Sequence, residues 1–145
     1  MIGAPLAVID ASVSLKWALD DEDAVENALA LRDAALAGRL TMLAPSLWYY
    51  EVTNGLVTAV RRGRLDAAAG GQALSLLLRL GVRLVDPTAG AVYQAALTNG
   101  IAAYDAAYVA LAADLEAPLW TGDRRLFERV APREARMHWV GDFAA

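Results

Sequence analysis

The stretch that decides the fold is Leu6-Ala7-Val8-Ile9-Asp10-Ala11-Ser12. Its first four residues form a short apolar run, which is typical of a buried strand. An aspartate closes the run, and helical spacing of apolar residues follows over 12–19. A strand that ends in a carboxylate and passes directly into a helix predicts the first unit of an α/β protein.

The same alternation of strand and helix continues along the chain. Further strands are predicted at 40–43, 82–85, 118–121 and 138–140, and helices at 24–36, 46–62, 66–80, 88–97, 104–115 and 124–130. Short strands alternating with helices predict a mainly parallel central sheet with helices on both faces. With 145 residues, of which 57% are hydrophobic and 21% charged, the chain is expected to form a single domain over 1–145.

Composition narrows the classes of function. The chain has no cysteine, which excludes disulfides, a thiolate nucleophile and a thiolate metal site. The first five residues carry no basic leader, and no apolar stretch is long enough to span a bilayer, so we expect a cytoplasmic protein without a membrane segment. The formal net charge of -4 disfavours non-specific nucleic-acid binding through a large basic surface. Divalent cations bound at an acidic cluster would reverse that potential locally.

Four acidic residues stand where a folded chain has little structural reason to place charge: Asp10, Glu51, Asp105 and Asp123. Asp10 and Asp123 each follow a predicted strand, at the sheet edge where ligands of parallel α/β proteins collect. A carboxylate taken out of water either becomes neutral or finds a compensating cation. Convergence of these acids therefore predicts a site for Mg²⁺, or for Mn²⁺, both of which prefer oxygen ligands.

Each acid also has an alternative explanation. Asp10, Asp105 and Asp123 lie at or near predicted helix starts, where an aspartate can cap free N–H groups and is worth about 1 kcal/mol. Glu51 lies past the first turn of its helix, and its alternative is a solvated or arginine-paired position. The metal-site hypothesis rests on the joint pattern of the four acids.

Four segments, at 8–12, 45–54, 104–112 and 119–126, carry these acids with their flanking residues. In content and order they resemble the PIN-domain nucleases, in particular the small VapC-type ribonuclease toxins of toxin-antitoxin systems. The resemblance covers nearly the whole chain and implies a PIN-like three-layer α/β/α fold. It further implies a homodimer and a cognate antitoxin protein, with Trp48-Tyr49-Tyr50 and the helix at 24–36 as candidate partner surfaces. Core packing is the alternative for both.

The resemblance also implies an activity and a set of site residues. The activity is Mg²⁺- or Mn²⁺-dependent hydrolysis of phosphodiester bonds in RNA, which leaves a 5′-phosphate and a 3′-hydroxyl. The implied catalytic metal ligands are Asp10, Glu51, Asp105 and Asp123. Hydrogen bonds from Ser12, Asn54 and Thr121 are implied to support the ligands or bound water. Arg124 and Arg125, directly after the last acid, are candidates for contact with RNA phosphate, with a solvated helix face as the alternative.

Two other functions compete with a toxin ribonuclease. The segment Asp10-Ala11-Ser12-Val13-Ser14 also fits the D-x-S-x-S motif of adhesion modules of the von Willebrand A type, which bind one Mg²⁺ without catalysis. That hypothesis leaves Glu51 and Asp105 unexplained. The second competitor is a PIN-like RNA-processing protein that is not a toxin. His138, the only histidine, is expected to be a packed strand residue rather than a catalytic base.

Overall fold

Within residues 3–144 the sheet contains five strands, all parallel. The strands are β1 (Leu6–Ile9), β2 (Thr41–Ala44), β3 (Arg83–Leu84), β4 (Leu119–Thr121) and β5 (Met137–Trp139). Their order across the sheet is β3-β2-β1-β4-β5. This computed structural model describes residues 3–144, so Met1 and Ile2 of the N-terminal segment, together with Ala145, lie outside the described residues. The first strand of the chain is thus the central strand of the sheet.

Helices fill every connection between consecutive strands. They are α1 (Ala11–Leu15), α2 (Val25–Leu36), α3 (Leu47–Arg61), α4 (Ala67–Leu77), α5 (Ala89–Asn99), α6 (Ala103–Leu115) and α7 (Arg124–Val130). A 3₁₀ helix (Val140–Asp142) follows β5. Parallel strands require such crossovers, so the predicted alternation of strand and helix is confirmed. No helix within 3–144 is long and apolar enough to cross a membrane.

Adjacent residues of β1 point to opposite faces of the sheet, and each face has its own core. Val8 packs in a cluster with Val52 of α3 and Tyr108 of α6. Ile9 packs in a second cluster with Leu31 of α2 and with Trp139. Because both faces are covered by helices, the central strand β1 is apolar throughout rather than alternating. The predicted three-layer α/β/α fold is confirmed.

Two helices on the Val8 face bring further acids towards the end of β1. In α3 the buried residues Trp48, Val52, Leu56 and Ala59 fix the rotation of the helix, so that Glu51 lies beside the core and not within it. In α6 the run from Ala106 to Ala112 is buried on all sides, so the helix reaches solvent only at its two ends, and Asp105 lies in the first turn. Rotation of these two helices therefore decides where two of the four acids lie.

The first predicted helix is much shorter than expected. The strand predicted at 82–85 and the helix predicted at 66–80 are also shorter, at Arg83–Leu84 and Ala67–Leu77. The helix predicted at 12–19 ends at Leu15. The next backbone N–H groups, from Lys16 to Ala18, bond to carbonyls three residues earlier, which tightens the chain into 3₁₀-type turns. Lys16 and Trp17 also donate side-chain hydrogen bonds to Asp23 and to the Ala28 carbonyl. These tertiary contacts override the helical spacing of the sequence.

Candidate functional site

Asp10 lies at the carboxyl end of β1 and is the N-cap of α1. Its Oδ1 atom accepts a hydrogen bond from the backbone N–H of Val13 at 3.2 Å. The residue is only 5% exposed, because β1 is central in the sheet and both faces are covered. The capping explanation of Asp10 is therefore correct, but it leaves a buried carboxylate that still needs compensation.

Two hydroxyl groups hold this carboxylate. The Ser12 hydroxyl donates to Oδ1 of Asp10, and the Thr121 hydroxyl donates to Oδ2 at 2.5 Å. Each hydroxyl oxygen also accepts a backbone hydrogen bond, Ser12 from Gly122 at 2.8 Å and Thr121 from Asp123 at 3.0 Å. The network ties the junction of β1 and α1 to the junction of β4 and α7. Ser12 and Thr121 thus both bind the Asp10 carboxylate, and their role as supports of a metal ligand, which the resemblance implies, stays a prediction.

Burial dominates the acidity of Asp10. It raises the pKa of Asp10 from 3.8 to about 6. The hydrogen bonds from Ser12, Thr121 and Val13 lower this pKa, and the negative charge of Asp123 raises it. At neutral pH the carboxylate is therefore charged but poorly solvated. A nearby cation would relieve that cost.

Glu51, in α3, is half-buried and shares a hydrogen bond with a neighbouring helix. The hydroxyl of Tyr108 in α6 donates to Oε1 of Glu51 at 2.6 Å. Burial raises the pKa of Glu51, the Tyr108 hydrogen bond lowers it, and the charges of Asp10 and Asp105 raise it further. Within residues 3–144, Glu51 forms no ion pair, so the arginine-paired alternative is wrong.

Asp105 and Asp123 form the more open part of the site. Asp105 is half-buried in the first turn of α6, and burial followed by the charge of Asp123 raises its pKa. It is not the N-cap of α6, which is Ala102, so the capping explanation is wrong for Asp105. Asp123 is exposed and caps α7 by accepting from the Leu126 N–H at 3.2 Å.

A cavity of about 710 Å³ opens beside these two acids. Its lining combines the carboxylates of Asp105 and Asp123 with the side chains of Arg125 and Arg129 on α7. The rest of the lining is Gly100, Ile101, Ala102, Leu126 and Glu128. The cavity is large enough for several atoms of a polar ligand next to the acids, and it carries charges of both signs.

Two residues predicted for the site make no hydrogen bond or ion pair with the four acids within residues 3–144. Asn54 is exposed on α3 and its side chain makes no hydrogen bond with the described residues 3–144. The guanidinium of Arg124 lies over the ring of Trp139, 4.4 Å from its centroid, and does not line the cavity. The support role of Asn54 and the RNA contact of Arg124 stay predictions.

Sequence reasoning did not assign a role to Tyr108, Gly122 or Arg129. A Cβ atom at Gly122 would lie 2.5 Å from Cε of Lys16 and 3.0 Å from the Ser12 carbonyl oxygen, so a larger residue would force the β4–α7 turn and α1 to shift apart. Tyr108 lies inside an apolar helix, where its hydroxyl needs a partner. The sequence could therefore have indicated that the Tyr108 hydroxyl has a hydrogen-bond partner. It could not have identified that partner, which depends on helix packing.

The donor set of the four acids suits a hard cation. All the donors are oxygen, which favours Mg²⁺ or Mn²⁺ over Zn²⁺. No three Asp, Glu or His side chains of residues 3–144 are close enough together to hold an ion directly. The acids are instead linked by charge, Asp10 with Asp123 and Glu51 with Asp105. Mg²⁺ fits such a spaced set because it keeps several waters and binds through one or two carboxylates.

Comparison with known proteins agrees with this geometry. Residues 7–132 match the PIN domain family. The chain is 37% identical over 122 residues to the VapC ribonuclease Mb0985 of Mycobacterium bovis and, equally, to ribonuclease VapC9 of Mycobacterium tuberculosis. In both cases the alignment covers 83% of this chain and 88% of the relative.

Solved structures give the same result at the level of the fold. PAE2754 from Pyrobaculum aerophilum superposes with a TM-score of 0.71 and 27% identity, over 94% of this chain and 92% of the other. VapC20 of Mycobacterium tuberculosis, described as a sarcin-ricin loop cleaving toxin, superposes with a TM-score of 0.58 and 14% identity, over 86% and 95% of the two chains. This chain belongs to the PIN-domain family, and the predicted resemblance is confirmed.

Proposed function

We propose that this protein is a metal-dependent endoribonuclease and the toxin of a VapC-type toxin-antitoxin pair. The observation that carries the proposal is the buried Asp10 carboxylate, held by Ser12 and Thr121 and coupled by charge to Asp123 and Glu51. Support comes from relatives named ribonucleases that align with most of the chain. Burial of an acid at the end of the central strand costs folding stability. Acids of this kind are found mainly at functional sites.

In this proposal Asp10, Glu51, Asp105 and Asp123 hold one or more Mg²⁺ or Mn²⁺ ions. The ion would orient and activate water for in-line attack and neutralise charge on the phosphodiester. Ser12 and Thr121 fix the direction of the Asp10 carboxylate, and Tyr108 fixes that of Glu51. The expected products are a 5′-phosphate and a 3′-hydroxyl. Fixed carboxylates hold the ion in place without reorganisation during the reaction.

The adhesion-module alternative requires Ser14 to join Asp10 and Ser12 at one ion. Ser14 is fully buried, and its hydroxyl oxygen accepts a hydrogen bond from the indole of Trp48 at 2.9 Å. That contact directs Ser14 into the core and argues against this alternative. The RNA-processing alternative keeps the same site and differs only in biological role, so relief of growth arrest by Asp10→Asn on expression would favour the toxin.

We also propose a homodimer and a cognate antitoxin as partners, with the protein in the cytoplasm. Two large side chains one turn apart on α5, Tyr93 and Leu97, are 61% and 65% exposed. Exposed apolar side chains at such spacing are typical of interaction surfaces. Of the partner surface predicted at 48–50, Trp48 is buried, whereas Tyr50 is 73% exposed and available to a partner.

Cleavage of RNA by purified protein tests the proposed function. The wild type should cleave structured RNA with Mg²⁺ or Mn²⁺ and lose activity on chelation. Asp10→Asn and Asp105→Asn should each lower the cleavage rate by at least about 100-fold, because each removes a ligand charge needed in the transition state. Asp114→Asn, at the exposed C-terminal end of α6, is the matched control and should cleave like the wild type.

Folding of each variant is checked by its melting temperature. Equal cleavage by wild type, Asp10→Asn and Asp105→Asn would indicate a contaminating nuclease and reject the assignment. Activity that persists in a chelator would reject the metal dependence alone.

A further inference from the structure

Two arginines that have no acidic partner among residues 3–144 line the cavity beside Asp105. Arg125 and Arg129 are four residues apart on α7 and both line the cavity. Residues at this spacing share one face of a helix, with Cα atoms about 6 Å apart along its axis. Within the described residues 3–144, neither guanidinium lies within ion-pair distance of a carboxylate, although Glu128 stands between them in sequence.

Arg129 is also held in place by a neutral group. Its Nη1 donates to the carbonyl oxygen of Gly100 at 3.1 Å. Gly100 ends α5 in the left-handed conformation with a φ of 62°, which glycine adopts without strain. A carbonyl restrains the guanidinium without cancelling its charge. The remaining N–H groups of Arg129 are thus preorganised donors that can bind an anion.

Resting on the proposed function, we propose that Arg125 and Arg129 form a seat for a non-scissile phosphate of the RNA strand. The scissile phosphodiester belongs at the carboxylates and their ion, which line the same cavity. A second phosphate of the same strand then meets the arginine side, where paired N–H donors match its oxygens. The seat would place the cleaved bond at the acids and would bind any sequence, since phosphates carry no base information.

The charge of the cavity depends on whether a cation is bound, and RNA binding at the two arginines should depend on it as well. Without an ion, Asp105, Asp123 and Glu128 outnumber the two arginines in the lining. With an ion at the acids, the two arginines dominate the local potential. RNA binding should therefore require a divalent cation, which reconciles a nucleic-acid ligand with a net charge of -4.

Binding of a short fluorescein-labelled single-stranded RNA, measured by anisotropy in Ca²⁺ over a range of salt, tests the seat. Arg129→Gln should weaken binding about 10-fold, since it removes a charge-assisted contact. It should also reduce the salt slope by about 0.7, the value for one phosphate contact on a single strand. Arg129→Lys keeps the charge but loses the forked N–H donors of the guanidinium. Its RNA affinity should lie between those of the wild type and Arg129→Gln.

Arg133→Gln is the matched control, because it removes the same charge from an exposed position just outside the cavity lining. It should leave affinity and salt slope unchanged. Equal weakening by Arg129→Gln and Arg133→Gln, or no weakening by either, would overturn the seat. Replacing single phosphates of the RNA by neutral methylphosphonates should identify one position, away from the cleavage site, that weakens wild-type binding but not that of Arg129→Gln.

Cleavage with Mn²⁺, measured in parallel, separates the two proposals. Binding with the expected variant pattern but no cleavage by the wild type would reject the proposed function and keep the seat. Metal-dependent cleavage in which Arg129→Gln matches Arg133→Gln in KM would keep the function and reject the seat. Absence of RNA binding by the wild type in Ca²⁺ would reject the seat as well.

Discussion

The two walls of the candidate site are built in opposite ways. The inner wall, formed by Asp10, Ser12 and Thr121, is desolvated and joined by hydrogen bonds across two strand ends. The outer wall, formed by Asp105, Asp123, Arg125 and Arg129, faces an open cavity. The comparison shows a division of roles: the inner wall orients a carboxylate, and the outer wall gives a ligand access to the site. The inner wall fixes one carboxylate at a cost in stability, and the outer wall leaves room for a polymer.

The largest expected effect is the loss of folding stability caused by the buried Asp10 carboxylate of the inner wall. Because the folded pKa of Asp10, about 6, is above the ordinary 3.8, the folded state binds the proton more tightly. The contribution of Asp10 to stability is greatest at low pH and is lost as pH rises through about 6, with a total change of about 3 kcal/mol. Denaturant unfolding of the metal-free protein at pH 4 to 7 should show this loss.

Asp10→Asn should remove that loss of stability, and Asp114→Asn, whose side chain is exposed, should retain it. Mn²⁺ should restore stability to the wild type at pH 7 and much less at pH 4, where protonated carboxylates bind metal poorly. A wild type and Asp10→Asn with parallel pH curves would show that burial of Asp10 has no cost, and the distinction between the walls would fail.

The next effect concerns the bond between Tyr108 and Glu51, which links α6 to α3 beneath the site. Tyr108→Phe removes the hydroxyl that stabilises the charged Glu51, so the pKa of Glu51 should rise further. We expect cleavage at pH 6 to fall about 10-fold, with partial recovery at pH 8, because a hydrogen bond to a charged group is worth about 1.5–3 kcal/mol.

Tyr104→Phe, four residues earlier on α6 and 71% exposed, is the matched control for the loss of one hydroxyl. It should leave the pH profile of cleavage unchanged. A Tyr108→Phe variant that loses stability but keeps the wild-type pH profile would show that Tyr108 is only a packing residue.

The smallest effect concerns Arg124, which lies at the border of the outer wall. Its guanidinium covers Trp139, so Arg124→Gln should cost about 0.5–1 kcal/mol of unfolding free energy. We expect RNA binding to change less than twofold, unlike the loss expected for Arg129→Gln. A loss of affinity as large as that of Arg129→Gln would extend the RNA contact to Arg124, as the sequence predicts.

Much of the fold could be predicted because parallel strands are short apolar runs bounded by polar residues. The bounds of β1 and α7 agree with the sequence prediction to the residue. The helix at 12–19 was predicted too long, because the contacts of Lys16 and Trp17 with distant residues are invisible to local periodicity. His138 was predicted as a packed strand residue; it lies in β5 and stacks on Trp120 of β4, with ring centroids 4.9 Å apart.

The candidate site was predictable only in part. Asp10 and Asp123 could be placed because both follow strands of one parallel sheet, and the carboxyl ends of such strands share an edge. Glu51 and Asp105 needed a family resemblance, since no local rule says that two separate helices will meet. Arg129 could not be found from sequence, because its tether to Gly100 joins α7 to the end of α5 across 29 residues.

The sequence by itself determined the order of strands and helices and the carboxylates at strand ends, because these depend on apolar runs and on the chemistry of single residues. Only the tertiary structure decided which hydroxyls reach Asp10, which helix supplies a donor to Glu51 and which arginines share the cavity. Those pairings depend on strand register and on the rotation of packed helices. Many contacts spread along the chain set both of these, and no segment specifies either one alone.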